Sequence, residues 1–310
     1  MDYNIIINQI LMLFLIIFVG YLLRKKGILN QELSEGLSNL LVEITMPALI
    51  ISSMAVKLDE TLITNIKIIS LITAFVYLFL IVFTNFISRY ISISFDQKRV
   101  FIFALLFGNV GFMGYPVLDA IYPELGIFYG IFNNIAFNIL VWTYGIYLFT
   151  ASENGKSKIE WKKILNNGIY AIIIGFILLF TGYRFPSPVA GAIDYLGEMT
   201  FPLSMLIIGN SLASVSIVDT ITNKYVIILT SLKLLIIPGV VFIILNQFPV
   251  PDIIKNVTVI LTAMPAAANT VVFAERFDGD HEYASQSVFI TTLFALFTIP
   301  IFVSLLNYFG

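Results

Sequence analysis

The sequence predicts an all-α integral membrane protein: ten transmembrane helices as two inverted five-helix repeats, with helices four and nine discontinuous. Three observations predict it. The 310 residues are 59% hydrophobic and only 12% charged, about half the charge of a soluble domain. The apolar residues fall into ten stretches of spanning length, since a helix needs about 20 mostly apolar residues to cross a bilayer. Two of those stretches, Leu105–Pro123 and Leu261–Phe277, break their own helical pattern with Gly108, Gly111, Gly114 and Pro116 in one and Pro265 in the other.

Taken in order, the spans are Asn4–Leu23, Ser38–Val56, Ile66–Ser88, Val100–Tyr122, Ile127–Thr150, Leu165–Tyr183, Ala192–Ser214, Tyr225–Leu245, Val257–Arg276 and Ala284–Tyr308. The first is expected to be a true span and not a cleaved leader. Arg24, Lys25 and Lys26 follow its apolar core, whereas a leader puts positive charge first. Ten spans sort the loops onto two faces. Arg24, Lys25, Lys26, Arg89, Lys98, Arg99, Lys156, Lys158, Lys162, Lys163, Lys224 and Arg276 gather on one, and Lys57, Lys67, Arg184 and Lys255 on the other. The positive-inside rule makes the first face cytoplasmic and both termini extracytoplasmic, in the plasma membrane. Nine or eleven spans would scramble this asymmetry.

The longest polar run, Ala151–Lys163, lies at mid-chain and divides it into repeats 1–155 and 156–310. Glu43-Ile-Thr45-Met-Pro47 of span two returns in span seven as Glu198-Met-Thr200-Phe-Pro202, a shift of 155 residues. The broken spans are also five apart, and five is odd. The second copy therefore enters the membrane from the opposite side, as in the inverted repeats of secondary transporters, whose broken helices bind substrate near the midplane.

In a bilayer every freed backbone group needs a partner. Asn109 and Asn269 sit in the two breaks, where their amides either contact substrate or satisfy freed backbone. The alternative is ordinary packing, with glycines letting helices approach and asparagines bonding across them. Half-helix N-termini converging there would suit an anion. Gly108, Gly114 and Pro116 are read as crossover hinges and Gly111 as a substrate-binding residue. Pro47 and Pro202 are expected to kink spans two and seven. Thr45 and Thr200 either cap the freed carbonyls or reach substrate. Lys233, deep in span eight, faces a cavity or a partner: an ion pair with Glu43, Glu198 or Asp119, or an anionic substrate. Glu43 and Glu198 are proton-coupling candidates if burial raises their pKa values, and static partners otherwise. Asn138 shares a helical face with Asn134 and Trp142. Asp119, Glu124, Glu275 and Asp278 lie near span ends and are expected to be solvated.

Other chemistry is excluded. With no cysteine and one histidine, His281, thiolate metal sites and a Ser/His/Asp set have no residues to use. No metal, cofactor or enzymatic activity is expected, beyond a possible coupling H+ or Na+. Gly155-Lys156-Ser157 lacks the first glycine of a phosphate-binding loop. No basic–aromatic cluster points to nucleic acid.

Asn109-Val-Gly-Phe-Met-Gly114-Tyr-Pro116, together with Ala263-Met-Pro265 and Val272-Phe273-Ala274, resembles the crossover of the auxin efflux carrier family. Pro47 and Trp142 fit as well, and the resemblance covers nearly the whole chain. It implies a scaffold of spans one, two, six and seven, often dimeric, and a transport domain of spans three to five and eight to ten. The implied function is a permease for a small organic anion such as a carboxylate, working by elevator-type alternating access. Asn109, Asn138 and Pro265 then fall in the site region, and Lys233 matches a basic residue in plant members. The family's proline before the crossover asparagine is Gly108 here. The polar residue after its ninth-span proline is Ala266, with Asn269 three residues on. The other reading is a ligand-binding sensor or channel without coupled transport. Expected partners are the organic acid, membrane lipid and a second copy of the chain.

Overall fold

The computed structural model describes residues 3–57, 59–123, 125–150, 167–213, 222–277 and 279–309. Lys156, Lys158, Lys162 and Lys163 of the central loop, Glu124 and Asp278 lie outside the described residues. The described chain is helical throughout, and its only strand-like feature is a two-residue bridge.

The helices are α1 Tyr3–Lys25, α2 Gln31–Ser53, α3 Glu60–Ile87, α4 Phe95–Leu106, α5 Val110–Ile121, α6 Gly126–Phe149 and α7 Asn167–Thr181. After them come α8 Ser187–Glu198, α9 Thr200–Leu212, α10 Lys224–Leu245, α11 Asp252–Thr262, α12 Asn269–Arg276 and α13 His281–Phe309. Five of these, α2, α3, α6, α10 and α13, are long and apolar enough to cross a membrane, and α5 and α7 are shorter apolar helices. An integral membrane protein follows.

Local signals explain the ends. Asn30, Ser94 and Asn223 cap α2, α4 and α10 by accepting from backbone N–H groups of the first turn. Gly27 and Gly182, with φ of 72° and 68°, lie just past α1 and α7, where a left-handed residue closes a helix and glycine bears it without strain.

Spans four and nine are broken as expected, between α4 and α5 and between α11 and α12. Span seven is broken too, at Met199, three residues before Pro202. Three helices carry a feature the sequence reading lacked. One wide π-helical turn precedes each of Pro47, Pro116 and Pro238: Leu41–Thr45, Val110–Gly114 and Leu232–Ile236. Each proline lies two residues past its turn, so its i−4 carbonyl belongs to the turn's middle residue. A proline ring clashes with that carbonyl in a regular helix. Widening the turn relieves the clash without ending the helix. Pro47 is thus absorbed by a bulge and does not break its span. A fourth wide turn, Val141–Gly145, has no proline.

The chain divides into two compact units. The first comprises Met1–Ile69, Gly111–Phe132 and Leu165–Ser214. In it α1 packs against α9 backbone to backbone. A Cβ on Gly20 would strike the Leu206 carbonyl, and one on Gly209 the Ile17 carbonyl and the Tyr21 nitrogen. Small residues permit such contact where lipid offers no hydrophobic drive for association. The second half of α2 packs on α7 and α8, with Gly175 under Met54 and Gly197 under Leu49.

The second unit comprises Ser70–Val110, Asn133–Ile164 and Val215–Gly310. In it Tyr77 donates to Asn133 at 3.4 Å and Asn85 to Tyr144 at 2.5 Å. Both residue numbers rise together, so α3 and α6 run parallel. Asn223 donates to Gln286 at 3.1 Å and Tyr283 to the Tyr225 carbonyl at 3.3 Å. The starts of α10 and α13 therefore lie together, and these helices also run parallel.

Candidate functional site

The site is built where two helices stop. Helix α4 ends at Leu106; Phe107 is extended, and Val110 N–H donates to the Gly108 carbonyl at 2.9 Å, turning the chain at Asn109. Helix α11 ends at Thr262, and Ala263–Ala268 continue irregularly until α12 begins. The two segments meet as an antiparallel bridge centred on Gly108 and Ala266. Asn109 N–H donates to the Pro265 carbonyl at 2.8 Å, and Ala267 N–H to the Phe107 carbonyl at 3.0 Å. Each broken helix thereby satisfies the other's freed backbone, as the bilayer interior demands. Ala266 N–H is taken by the Thr291 hydroxyl of α13 at 3.1 Å.

Gly108 permits a close approach. A Cβ there would lie 3.3 Å from the Leu261 carbonyl oxygen, 3.4 Å from Met264 Cβ and 3.5 Å from Lys233 Nζ. The neighbour on the third side is the buried lysine itself. Lys233, 2% exposed, donates from Nζ to the Leu105 carbonyl at 3.0 Å. Its described partner is thus a helix-end carbonyl and not Glu43, Glu198 or Asp119. Among the described residues Lys233 joins no ion pair.

An aromatic cluster braces this crossing. Phe103 lies 4.6 Å from Phe107, 4.9 Å from Phe273 and 5.5 Å from Phe149, centroid to centroid, and Phe107 lies 5.5 Å from Phe137. It ties α4, α6 and α12 together. Gly145, in the wide turn of α6, makes room for the Phe103 ring. Arg99 closes the end of α6 by donating to the Phe149 carbonyl at 2.5 Å. Both lysine and arginine thus sit at helix C-termini, where the dipole favours a cation.

The remaining expected site residues are distributed as follows. Asn109 is buried, and its bridge contact is made by backbone. Asn269 is half-buried and opens α12. Asn138 is half-buried and donates to the carbonyl and side-chain oxygens of Asn134 at 2.9 and 3.0 Å, which places the two on one face of α6. Thr45 is fully buried, and its hydroxyl bonds back to the Leu41 carbonyl at 3.4 Å inside the wide turn of α2. Gly111 borders Met46, whose Cε would sit 2.9 Å from an added Cβ. Gly114 immediately precedes Tyr115 and Pro116, both buried, at the end of the wide turn of α5. Glu43 is exposed and accepts from the Asn167 side-chain amide; Glu198 is exposed at the end of α8. Neither carboxylate is buried, which was the condition for reading them as proton-coupling groups. Thr200, by contrast, is buried, and among the described residues its hydroxyl has no partner.

Sequence reasoning missed Thr291, Arg99 and the phenylalanine cluster. Only their helical spacing hinted at them, since Phe103 and Phe107, like Phe273 and Phe277, stand four apart.

Two broken helices joined at backbone level, in a chain of apolar helices, fit the pattern of secondary transporters, and sequence comparison decides the family. A model of the family described as membrane transport protein matches residues 5–303. The chain belongs to that family, the auxin efflux carriers. Within it the chain is 25% identical to an uncharacterized transporter, MJ1031, of Methanocaldococcus jannaschii, over 95% of this chain and 96% of that one. It is 20% identical to the uncharacterized transporter YfdV of Escherichia coli, over 96% of each. A Rhizobium meliloti protein named provisionally as a malonate transporter is 25% identical, over 95% of this chain and 93% of its own. Family membership makes the protein a membrane permease and not an enzyme.

Proposed function

We propose that the protein is a secondary active transporter of a small organic anion, a carboxylate such as malonate, bound at the crossing of the two broken helices. The observation that carries this reading is the bridge between Gly108 and Ala266 with the Lys233 ammonium beside it. Broken helices give a transporter its polar site, and a buried cation gives that site a preference for anions. The name of the Rhizobium meliloti relative supports the substrate class.

In this reading Asn109, Gly111, Asn138, Pro265, Asn269, Thr45 and Lys233 form the substrate region. The ten helices are two inverted five-span repeats, 1–155 and 156–310, and the parallel pairs α3/α6 and α10/α13 are what such repeats produce. A scaffold of spans one, two, six and seven pairs two copies of the chain. The crossover-bearing spans three to five and eight to ten move as a body in elevator-type alternating access. Both termini face outward from the plasma membrane.

Thermal unfolding of the purified protein with malonate, succinate, acetate, aromatic acids and amino acids tests the substrate class. A ligand raises Tm through RT ln(1 + [L]/Kd). A rise with a carboxylate, followed by saturable counterflow of that acid in proteoliposomes, is expected. Binding without exchange would make the protein a sensor and refute the carrier.

A further inference from the structure

Helix α4 presents an unusual end. In a regular helix the Leu105 carbonyl would accept from the N–H four residues on, that of Asn109. That N–H is committed to Pro265. The Leu105 carbonyl is therefore freed at the negative end of the helix dipole, inside the protein. Half-helix C-termini and unwound carbonyls of this kind are where broken-helix transporters coordinate their coupling cation.

Here the position is taken by a side chain. Lys233 Nζ lies 3.0 Å from the Leu105 oxygen, and the residue is 2% exposed. The ammonium comes from the wide turn Leu232–Ile236 of α10, held two residues before Pro238. Gly108 borders it, since a Cβ there would lie in ordinary contact with Nζ at 3.5 Å. No carboxylate of the described residues neutralises the lysine. The other broken helix is served by a neutral group, the Thr291 hydroxyl on Ala266 N–H. The crossover thus places one lysine Nζ on the carbonyl end of α4, the kind of position where a mobile cation binds in broken-helix carriers.

We infer that Lys233 is a resident cation: its ammonium fills the place at the end of α4 that a sodium-coupled carrier gives to Na+, so the crossover keeps its geometry and its attraction for anions without sodium. For transport this deepens the carrier reading above; the cation dependence of folding is independent of it.

The test is thermal unfolding and proteoliposome counterflow of malonate in NaCl, methylammonium chloride or choline chloride at fixed ionic strength. Wild-type protein is expected to show the same Tm and rate in all three. Lys233→Ala is expected to unfold earlier and to be restored by methylammonium or Na+ but not by bulky choline. A cation at about ten times its Kd shifts the folding equilibrium about tenfold, a Tm rise of about 2 °C for a chain of this size. Should Lys233→Ala not fold, Lys233→Leu serves, because it keeps apolar packing while leaving the Leu105 carbonyl without a side-chain donor. Lys233→Arg keeps the charge and is expected to stay indifferent to sodium. A sodium-specific rise in wild-type Tm or rate overturns the inference, and so does a neutral variant that responds to no small cation. If no acid shifts Tm or is exchanged, the substrate reading fails, while the unfolding measurements still decide the role of Lys233.

Discussion

Gly108→Val is the perturbation that best separates a built crossover from an incidental contact. The Cβ alone would stand 3.3 Å from the Leu261 carbonyl oxygen and 3.4 Å from Met264 Cβ. Both neighbours are buried, and one is backbone. Two routes relieve the crowding. The segments stay joined and strain, as in other overpacked cores, for about 1–3 kcal/mol. Alternatively they part, losing the bonds from Asn109 N–H to Pro265 and from Ala267 N–H to Phe107. Each unsatisfied buried donor costs about 1–3 kcal/mol, so parting costs about 2–6 kcal/mol for the two. Gly108→Ala takes the first route, keeping the crossover with a lower Tm. Valine adds two methyl groups where one already crowds, and displaces the crossover. Gly108→Val is therefore expected to insert and to remain monodisperse in detergent, with Tm lowered by several degrees and counterflow lost. Gly191→Ala is the control. Nothing lies within 4 Å of its added Cβ, and alanine in a helix is expected to add about 0.5–1 kcal/mol of stability. Scanning fluorimetry and proteoliposome exchange measure both effects. Wild-type Tm and wild-type exchange from Gly108→Val would refute the close-approach argument.

Other expectations concern residues around the same framework. Asn109→Ala and Asn269→Ala should abolish uptake of the transported acid while leaving folded, dispersed protein; normal transport from both would remove them from the site. Gly209→Val drives a side chain into the Ile17 carbonyl and should leave little folded protein, measured by size-exclusion recovery after extraction. Tyr129→Phe removes the hydroxyl that accepts from Asn65 at 2.9 Å, stranding a buried amide at a cost of about 1–3 kcal/mol. The double change Asn65→Leu with Tyr129→Phe should recover part of that loss in thermal unfolding, because it removes both polar partners.

The breaks in spans four and nine were legible because glycine, asparagine and proline cluster there, and together they disfavour a continuous helix. Gly108 and Pro265 marked them within a few residues of the observed ends at Leu106 and Thr262. Lys233 was legible as a buried charge, but its partner was not. Charge intuition pointed to Glu43, Glu198 or Asp119. A carbonyl freed by a break 128 residues away gives no sign in composition. Pro47 and Pro116 were legible as helix perturbations, and Pro238 was not singled out. That each is absorbed by a wide turn depends on whether neighbours hold the helix together across the bulge, and no local pattern encodes that. Span seven shows the converse, for its break comes at Met199, before the proline.

What the sequence by itself determined is the solvent of this protein and the places where its helices fail. Both follow from transfer free energy and backbone sterics, which act residue by residue. The tertiary structure decided which freed carbonyl meets which donor. The bridge of Gly108 to Ala266, the ammonium of Lys233 on Leu105 and the hydroxyl of Thr291 on Ala266 join residues far apart in the chain. Such pairings are fixed by the requirement that every polar group in an apolar interior be satisfied at once. That is a condition on the whole packing, and no single stretch of sequence contains it.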